Sequence, residues 1–240
     1  MRYLNWINIR LVLMFALLIF LYSFTSKRNE ERHLKKSVVV FSGEGNLLVT
    51  TEMVNKLLIE NKSDAHTIRK DKVDLNKLEK SINKQEMIEK SEVFISIDGV
   101  LKAVVKQKTP IARVFNENES FYLDYKGDRM PLSEIFSERV PLVSGEIKDE
   151  SKEDLGRMFR MIHDDDFLKK NIIGVHISPT GNVTMMNRNF NYAIDFGKTI
   201  NMERKFNNYK AFFQKAVSDS TINGYKMINL KFTQQVVCTK

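Results

Sequence analysis

Cysteine is nearly absent from this 240-residue chain, with Cys238 its only member. No intramolecular disulfide can form, so a folded state must rest on a hydrophobic core, and paired-cysteine metal motifs are excluded. A glycine-rich phosphate loop and a nucleophile elbow are missing as well, and His33, His66 and His176 are scattered. No internal repeat or low-complexity tract occurs. Acidic charge is scarce in one place. Residues 1–36 hold Arg2, Arg10, Lys27, Arg28, Arg32, Lys35 and Lys36 against Glu30 and Glu31, a net +5 of the whole chain's +8. The rest of the chain carries only +3 and has no basic stripe interleaved with aromatics, so nucleic acid is not the expected partner. A juxtamembrane cluster drawn to anionic lipid accounts for most of the basicity.

What is present begins with an apolar run. From Leu11 to Ser26 the chain carries no charge. These 16 residues reach only about 24 Å as a helix, short of a ~30 Å hydrocarbon core. Arg10 can snorkel outward, and Trp6, Ile7 and Ile9 extend the apolar face toward an interfacial anchor. A cleaved signal peptide shares this order. However, 23–26 offers no small-x-small cleavage site and runs straight into Lys27-Arg28, so an uncleaved anchor is expected. Two basic residues precede the run and five follow it, which by the positive-inside rule favours a cytoplasmic domain. Long domains translocate largely regardless of charge, so topology stays open at this level.

Beyond the anchor, 37–41 reads as a strand broken by Gly43 and Gly45. A helix follows from about Thr51, capped by Thr50 or Thr51, with Met53, Val54, Leu57 and Leu58 on one face. The polar stretch 61–72 reads as a loop. Asp74 caps a second helix with Leu75, Leu78 and Ile82 as its buried stripe, and Val73 is placed to staple against Leu78. Val93, Ile95 and Ile97 then alternate into an Asp98-Gly99 turn, and 100–106 runs back as a hairpin. Two helices on one face of a three-stranded sheet would bury all of these stripes.

A second unit follows Thr109-Pro110-Ile111-Ala112. Strands are expected at 121–124, 140–143, 172–177, 183–186 and 192–196, with turns at 125–128 and 179–182. A helix over 151–163 presents Leu155, Met158, Phe159 and Ile162. Another over 202–217 presents Phe206, Tyr209, Phe212, Phe213, Ala216 and Val217. The chain closes on two strand-like runs, 227–232 and 235–238. Of the acidic clusters, only His163-Asp164-Asp165-Asp166 invites a metal reading. Its four residues sit consecutively at a helix end and point in different directions. Carboxylates there oppose the helix dipole and read as a stop signal. Cys238 lies in an apolar run with no base nearby and reads as a strand residue. No catalytic residue, metal ligand or cofactor is assigned.

Four segments carry a family resemblance. Residues 106–112, Lys-Gln-Lys-Thr-Pro-Ile-Ala, are similar to a strand ending in a Pro-x-Ala step. Phe121-Tyr122-Leu123-Asp124 with Gly127, and Pro141-Leu142-Val143-Ser144-Gly145, resemble an aromatic-Asp-x-x-Gly and a Pro-x-x-x-Gly segment. Ile228-Asn229-Leu230-Lys231-Phe232 resembles an Asp-Leu-Arg-Tyr-like final strand, with Asn229 where Asp is commoner. In this order they resemble the FtsQ/DivIB cell-division proteins, and 205–237 resembles the Bacteroidetes branch. The resemblance implies an α+β architecture: a cytoplasmic tail at 1–10, a transmembrane helix at 11–26 and a juxtamembrane linker at 27–36. A POTRA-like domain (β-α-α-β-β) at 37–114 and an antiparallel β domain with two flanking helices at 115–240 complete it. It further implies an inner-membrane protein with a cytoplasmic amino terminus and periplasmic domains, gathered at the septum. It implies a non-enzymatic divisome scaffold binding FtsB- and FtsL-like coiled-coil membrane proteins, and through them influencing FtsW/FtsI-type septal synthases. The implied partner-binding positions are Met227, Ile228, Leu230, Lys231 and Phe232, with Gln235, Val236, Val237 and Cys238 less securely aligned. The rival reading is a POTRA-containing envelope-assembly or secretion protein, but those usually carry POTRA modules in series or before a long barrel.

Overall fold

The computed structural model describes residues 6–30, 32–43, 48–59, 65–116 and 119–240. The tail before Trp6, Gly45 and the first part of the 61–72 loop lie outside the described residues. Two units divide at Gln107/Lys108.

In the first unit, α1 (Trp6–Glu30) is longer than the uncharged run. Its Asn8–Arg28 portion is 21 residues, about 31 Å at 1.5 Å per residue, which removes the shortfall against the hydrocarbon core. Arg10 lies 5.8 Å from the Trp6 ring, a pairing suited to the interface. The 27–36 stretch is not a linker. Helix α1 continues to Glu30, and the described residues from Arg32 onward are stitched into the domain. Leu34 N–H donates to Ile68 O at 2.9 Å, and Lys35 N–H to Gly99 O at 2.8 Å. Lys70 N–H donates back to Arg32 O at 2.8 Å. Leu34 is buried, and that burial drives the stitching.

Strand β1 (Lys36–Ser42) ends before Gly43, whose φ of +103° turns the chain away. Helix α2 (Thr51–Leu58) starts on Thr50, whose hydroxyl accepts from Met53 N–H at 3.0 Å. Helix α3 (Leu75–Asn83) starts on Asp74, whose carboxylate accepts from Lys77 N–H at 3.0 Å. Strands β2 (Ile88–Ile95) and β3 (Val100–Gln107) form the hairpin, with Gly99 at φ +86° in its turn. Strand β1 pairs parallel to β3, from Lys36↔Val100 to Ser42↔Lys106, giving the order β1-β3-β2. Val54, Leu58, Leu78 and Ile82 from the helices meet Leu101, Ala103 and Val105 of β3 in one core. This is the β-α-α-β-β module.

The second unit is a nine-stranded sheet. In chain order its strands are β4 (Pro110–Phe115), β5 (Ser120–Asp124), β6 (Arg129–Met130), β7 (Leu142–Gly145), β8 (Ile172–Ile177), β9 (Val183–Asn187), β10 (Ala193–Gly197), β11 (Met227–Asn229) and β12 (Val237–Thr239). In space they run β12-β11-β10-β9-β8-β7-β4-β5-β6. Three expectations are corrected. Residues 110–114 do not close the first domain, because Ile111, Ala112 and Val114 are buried in the second core. The sheet is not purely antiparallel, since β4·β7, β7·β8 and β10·β11 pair in parallel. The last two pairs follow from their connections, which are helical crossovers. Helices α4 (Lys152–Asp164) and α5 (Asp166–Asn171) join β7 to β8, and α6 (Met202–Ser218) joins β10 to β11. Third, the flanking helices number three, because α5 forms where a loop was expected. Asp165 stops α4 and caps α5, accepting from Leu168 N–H at 2.9 Å.

The two glycine motifs have local causes. Asp124 is buried, and its Oδ1 accepts from Lys126 and Asp128 N–H, both at 2.9 Å. Gly127 adopts φ +91° to close that turn. Gly145, at φ +96°, runs so close to β8 that an added Cβ would sit 1.9 Å from Ile177 O.

Candidate partner-binding edge

The expected binding residues all fall at one end of the nine-stranded sheet, but they divide into three environments. Ile228 and Leu230 are buried in the core. Met227, Lys231, Phe232, Gln235 and Val237 are exposed, and Val236 and Cys238 are half-buried against the core. Strand β11 itself is enclosed. It pairs parallel to β10 (Ala193↔Met227, Ile194↔Ile228) and antiparallel to β12 (Ile228↔Cys238, Asn229↔Val237). At this end of the sheet, among the described residues, the strand with an unpartnered side is β12, so the open edge here is Val237–Thr239 rather than 227–229. Such an edge presents unpaired backbone donors and acceptors.

The end is braced from behind. Lys205 on α6 is buried, and its ammonium donates to Phe196 O at 2.8 Å and Lys198 O at 2.7 Å, 4.7 Å from the Phe196 ring. Burial pushes its pKa below the usual lysine range, with Asp195 partly opposing. Asn208 Nδ2 donates to Thr233 O at 3.1 Å and so ties α6 to the connection between β11 and β12. Lys231 pairs with Asp195 at 2.6 Å, and its stem fills the space a Gly197 Cβ would need. Asn229 Oδ1 accepts from Lys231 N–H at 3.0 Å, a role that needs only an acceptor and that Asp would fill equally well. Burial raises the Cys238 thiol, which keeps it protonated and unsuited to nucleophilic work at neutral pH.

One feature of this end lay beyond sequence reasoning. On the uncovered face of the sheet a register row runs Leu142, Gly174, Met186, Ala193, Met227, Thr239. Leu142, Met186 and Met227 are all exposed, and Met186 lies over Gly174, with Sδ 3.3 Å from where a Cβ would be. The row leads to the open edge. Its members come from separate strands, so only the pairing register reveals it. The sole signal in sequence was an apolar residue at outward-facing strand positions.

The acidic cluster is occupied elsewhere. Asp164 accepts from the Tyr125 hydroxyl at 2.7 Å. Asp165 caps α5 and pairs with Lys210 at 2.7 Å. Among the described residues no group of three or more His, Cys, Asp or Glu side chains is placed to hold a metal ion. The interior polar groups are mutually satisfied: Asn187 donates to Tyr209 OH, which meets Tyr192 OH, each at 2.9 Å. Burial pushes both phenols up.

The family model for FtsQ/DivIB, C-terminal related, matches residues 109–239. A solved structure of the major extracytoplasmic domain of the trans isomer of the bacterial cell division protein DivIB from Geobacillus stearothermophilus is similar over 48% of this chain and 97% of its own length. Its sequence identity is 14% and its TM-score 0.30. No curated protein matches the chain.

Proposed function

Since this chain belongs to the FtsQ/DivIB, C-terminal related family, we propose that it is a non-enzymatic cell-division scaffold that grips its partners by strand addition at β12. The partners are small coiled-coil membrane proteins of the FtsB and FtsL type, through which it influences FtsW/FtsI-type septal peptidoglycan synthesis. Helix α1 anchors it in the inner membrane with the amino terminus in the cytoplasm, and both folded units lie outside, at the septum during division. One observation carries the binding reading: at the β12 end the sheet terminates in an unpartnered strand, flanked by exposed Met227, Lys231, Phe232 and Val237. A partner strand laid beside β12 gains backbone hydrogen bonds from the edge and side-chain selectivity from alternate residues. The apolar row through Met227 and Met186 offers a floor for whatever follows that strand.

A photo-crosslinking residue at Lys231, at Val237 and at Glu134 near the opposite end of the sheet tests this in dividing cells. Lys231 and Val237 are expected to capture a small coiled-coil membrane protein, and Glu134 to capture none. Capture at Glu134 alone would reverse the assignment of the edge. Capture of an outer-membrane assembly factor without septal enrichment would refute the division role.

A further inference from the structure

The membrane-proximal end of the first unit gathers features that the scaffold role does not use. Ile97, at the tip of the β2–β3 hairpin, is 97% exposed. Beside it, around one cleft, stand Arg32, Lys35 and Lys70. They are brought together by the backbone bonds that stitch residues 32–35 between the hairpin turn at Gly99 and the segment at 68–70. Among the described side chains two carboxylates stand nearby. Asp71 is taken by Arg69 at 3.0 Å, and Asp98 shares the cleft. Among the described side chains the three cations therefore outnumber the one acid that faces them.

This end is also held close to the bilayer. The apolar span ends at Arg28 and the first stitched residue is Arg32. Four residues cover at most about 14 Å even when extended. The intervening chain is helical to Glu30, and α1 lies against the Lys70–Lys72 turn. The cations thus stand within the headgroup layer or about one Debye length of it, where anionic lipid attracts them.

We propose that this end of the first unit is a lipid-docking face: Ile97 enters the interfacial region while Arg32, Lys35 and Lys70 bind the phosphates of anionic lipids. The face fixes the tilt of the unit on the membrane, and it gives Arg32 and Lys35, two of the five basic residues after the uncharged run, a role independent of topology. A hairpin tip carrying one apolar residue among cations combines shallow insertion with charge attraction, as interfacial segments do.

The proposal rests on α1 crossing the membrane, which alkaline carbonate extraction tests by itself, since a chain that washes off is not spanning. The docking test uses the full chain in a Trp6→Phe background, which removes the single native tryptophan. Tryptophan is placed at Ile97 (Ile97→Trp) or, as a control, at the far end of β1 (Ser42→Trp), about 20 Å along that strand from Lys36. The chain is reconstituted in bilayer discs of neutral phosphatidylcholine, or of phosphatidylcholine with 30% phosphatidylglycerol, each with brominated acyl chains as quencher. The expected result is at least twofold stronger quenching of Ile97→Trp in the anionic discs and none of Ser42→Trp in either. Removing Arg32, Lys35 and Lys70 together (each→Gln) should return quenching to the neutral-disc level, since each charge is worth about fivefold in surface partition. Far-ultraviolet circular dichroism of the triple variant guards against misfolding. A triple variant that fails this check is replaced by Lys35→Gln alone, from which about a fivefold weakening is expected. Equal quenching in neutral and anionic discs, quenching in neither, or equal quenching of Ser42→Trp would each overturn the proposal.

Discussion

The two ends of the nine-stranded sheet meet the same problem, an exposed edge, in opposite ways. At one end, β6 is two residues long. Its Met130 is fully buried, and Arg129 lies over Phe121 at 4.2 Å and pairs with Glu119. The chain that follows is tied to β5 through Tyr122, whose hydroxyl accepts from Glu138 N–H at 3.0 Å and meets Ser137 Oγ at 3.2 Å. Shortness and a charged edge side chain are how sheets refuse further strands. At the other end, β12 has a side chain of 41% exposure at Val237 and no charged residue within Val237–Thr239. That end is instead braced from within, by Lys205, Asn208 and the Lys231–Asp195 pair. The difference teaches that the open end is braced at β10 and at the connection into β12 rather than left loose, which under the proposed strand addition would lower the ordering cost.

The largest expected effect strikes both ends at once. Gly145→Ala drives a methyl into the Ile177 carbonyl at the centre of the sheet, and a loss of roughly 4 kcal/mol should appear in denaturant unfolding. Gly127→Ala also has positive φ but nothing within 4 Å of the new methyl, so it should cost only about 1 kcal/mol. Next, Lys205→Met removes the brace on the open end and leaves two carbonyls without their donor. About 2 kcal/mol should be lost, with weaker hydrogen-exchange protection in β10 and β11 than in β5. A smaller pair contrasts the edges directly. Val237→Asp should lower partner capture at least tenfold while stability moves by less than ~0.5 kcal/mol. Arg129→Ala should leave capture unchanged and cost about 0.5–1 kcal/mol. Equal effects of the two on capture would break the comparison.

The smallest effect depends on pH. Burial raises the Asp165 carboxyl, but Lys210 and the Leu168 N–H outweigh that and hold it below its ordinary value of 3.8. A depressed carboxylate stabilises above its unfolded pKa and loses that contribution as pH falls through the folded value. Asp165→Asn should therefore cost about 0.5 kcal/mol at pH 7, modest because the pair is partly solvated. The gap from the parent should close below about pH 4 in thermal melts.

How much of this was legible in sequence depended on the range of the interaction responsible. Local chemistry was readable. Thr50 and Asp74 cap the helices they were expected to cap, Asp98-Gly99 turns the hairpin, and the α4 stripe is buried. Of the α6 stripe, Phe206, Tyr209 and Ala216 are buried, Phe212 and Phe213 half-buried against the core, and Val217 exposed. Short or non-local features were not. Helix α5 is six residues long, and its capping Asp165 was indistinguishable from a stop signal. The Pro110-Ile111-Ala112 step was visible as strand, but not which core it served. Parallel pairing leaves no periodicity, although the strand-helix-strand order around α4 and α6 hints at it. At the candidate site, side chains of a strand-like run alternate between faces, so part of 227–232 has to be core, and Ile228 and Leu230 are that part. Which of the last two strands lies outermost depends on pairing between residues eight or more positions apart, and the Met186 contribution depends on three strands at once.

The parallel pairing of β1 with β3 has a consequence in time. The hairpin partners of β3 close across a four-residue turn, an event of about microseconds. Strand β1 reaches β3 across 64 positions in sequence, from Lys36 to Val100, so its loop-closure cost is met only after the hairpin exists. The segment next to α1 is thus expected to join its own domain last. On that expectation the chain beyond α1 forms its hairpin first and adds β1 afterwards, so the segment next to the apolar helix is settled only as the fold completes.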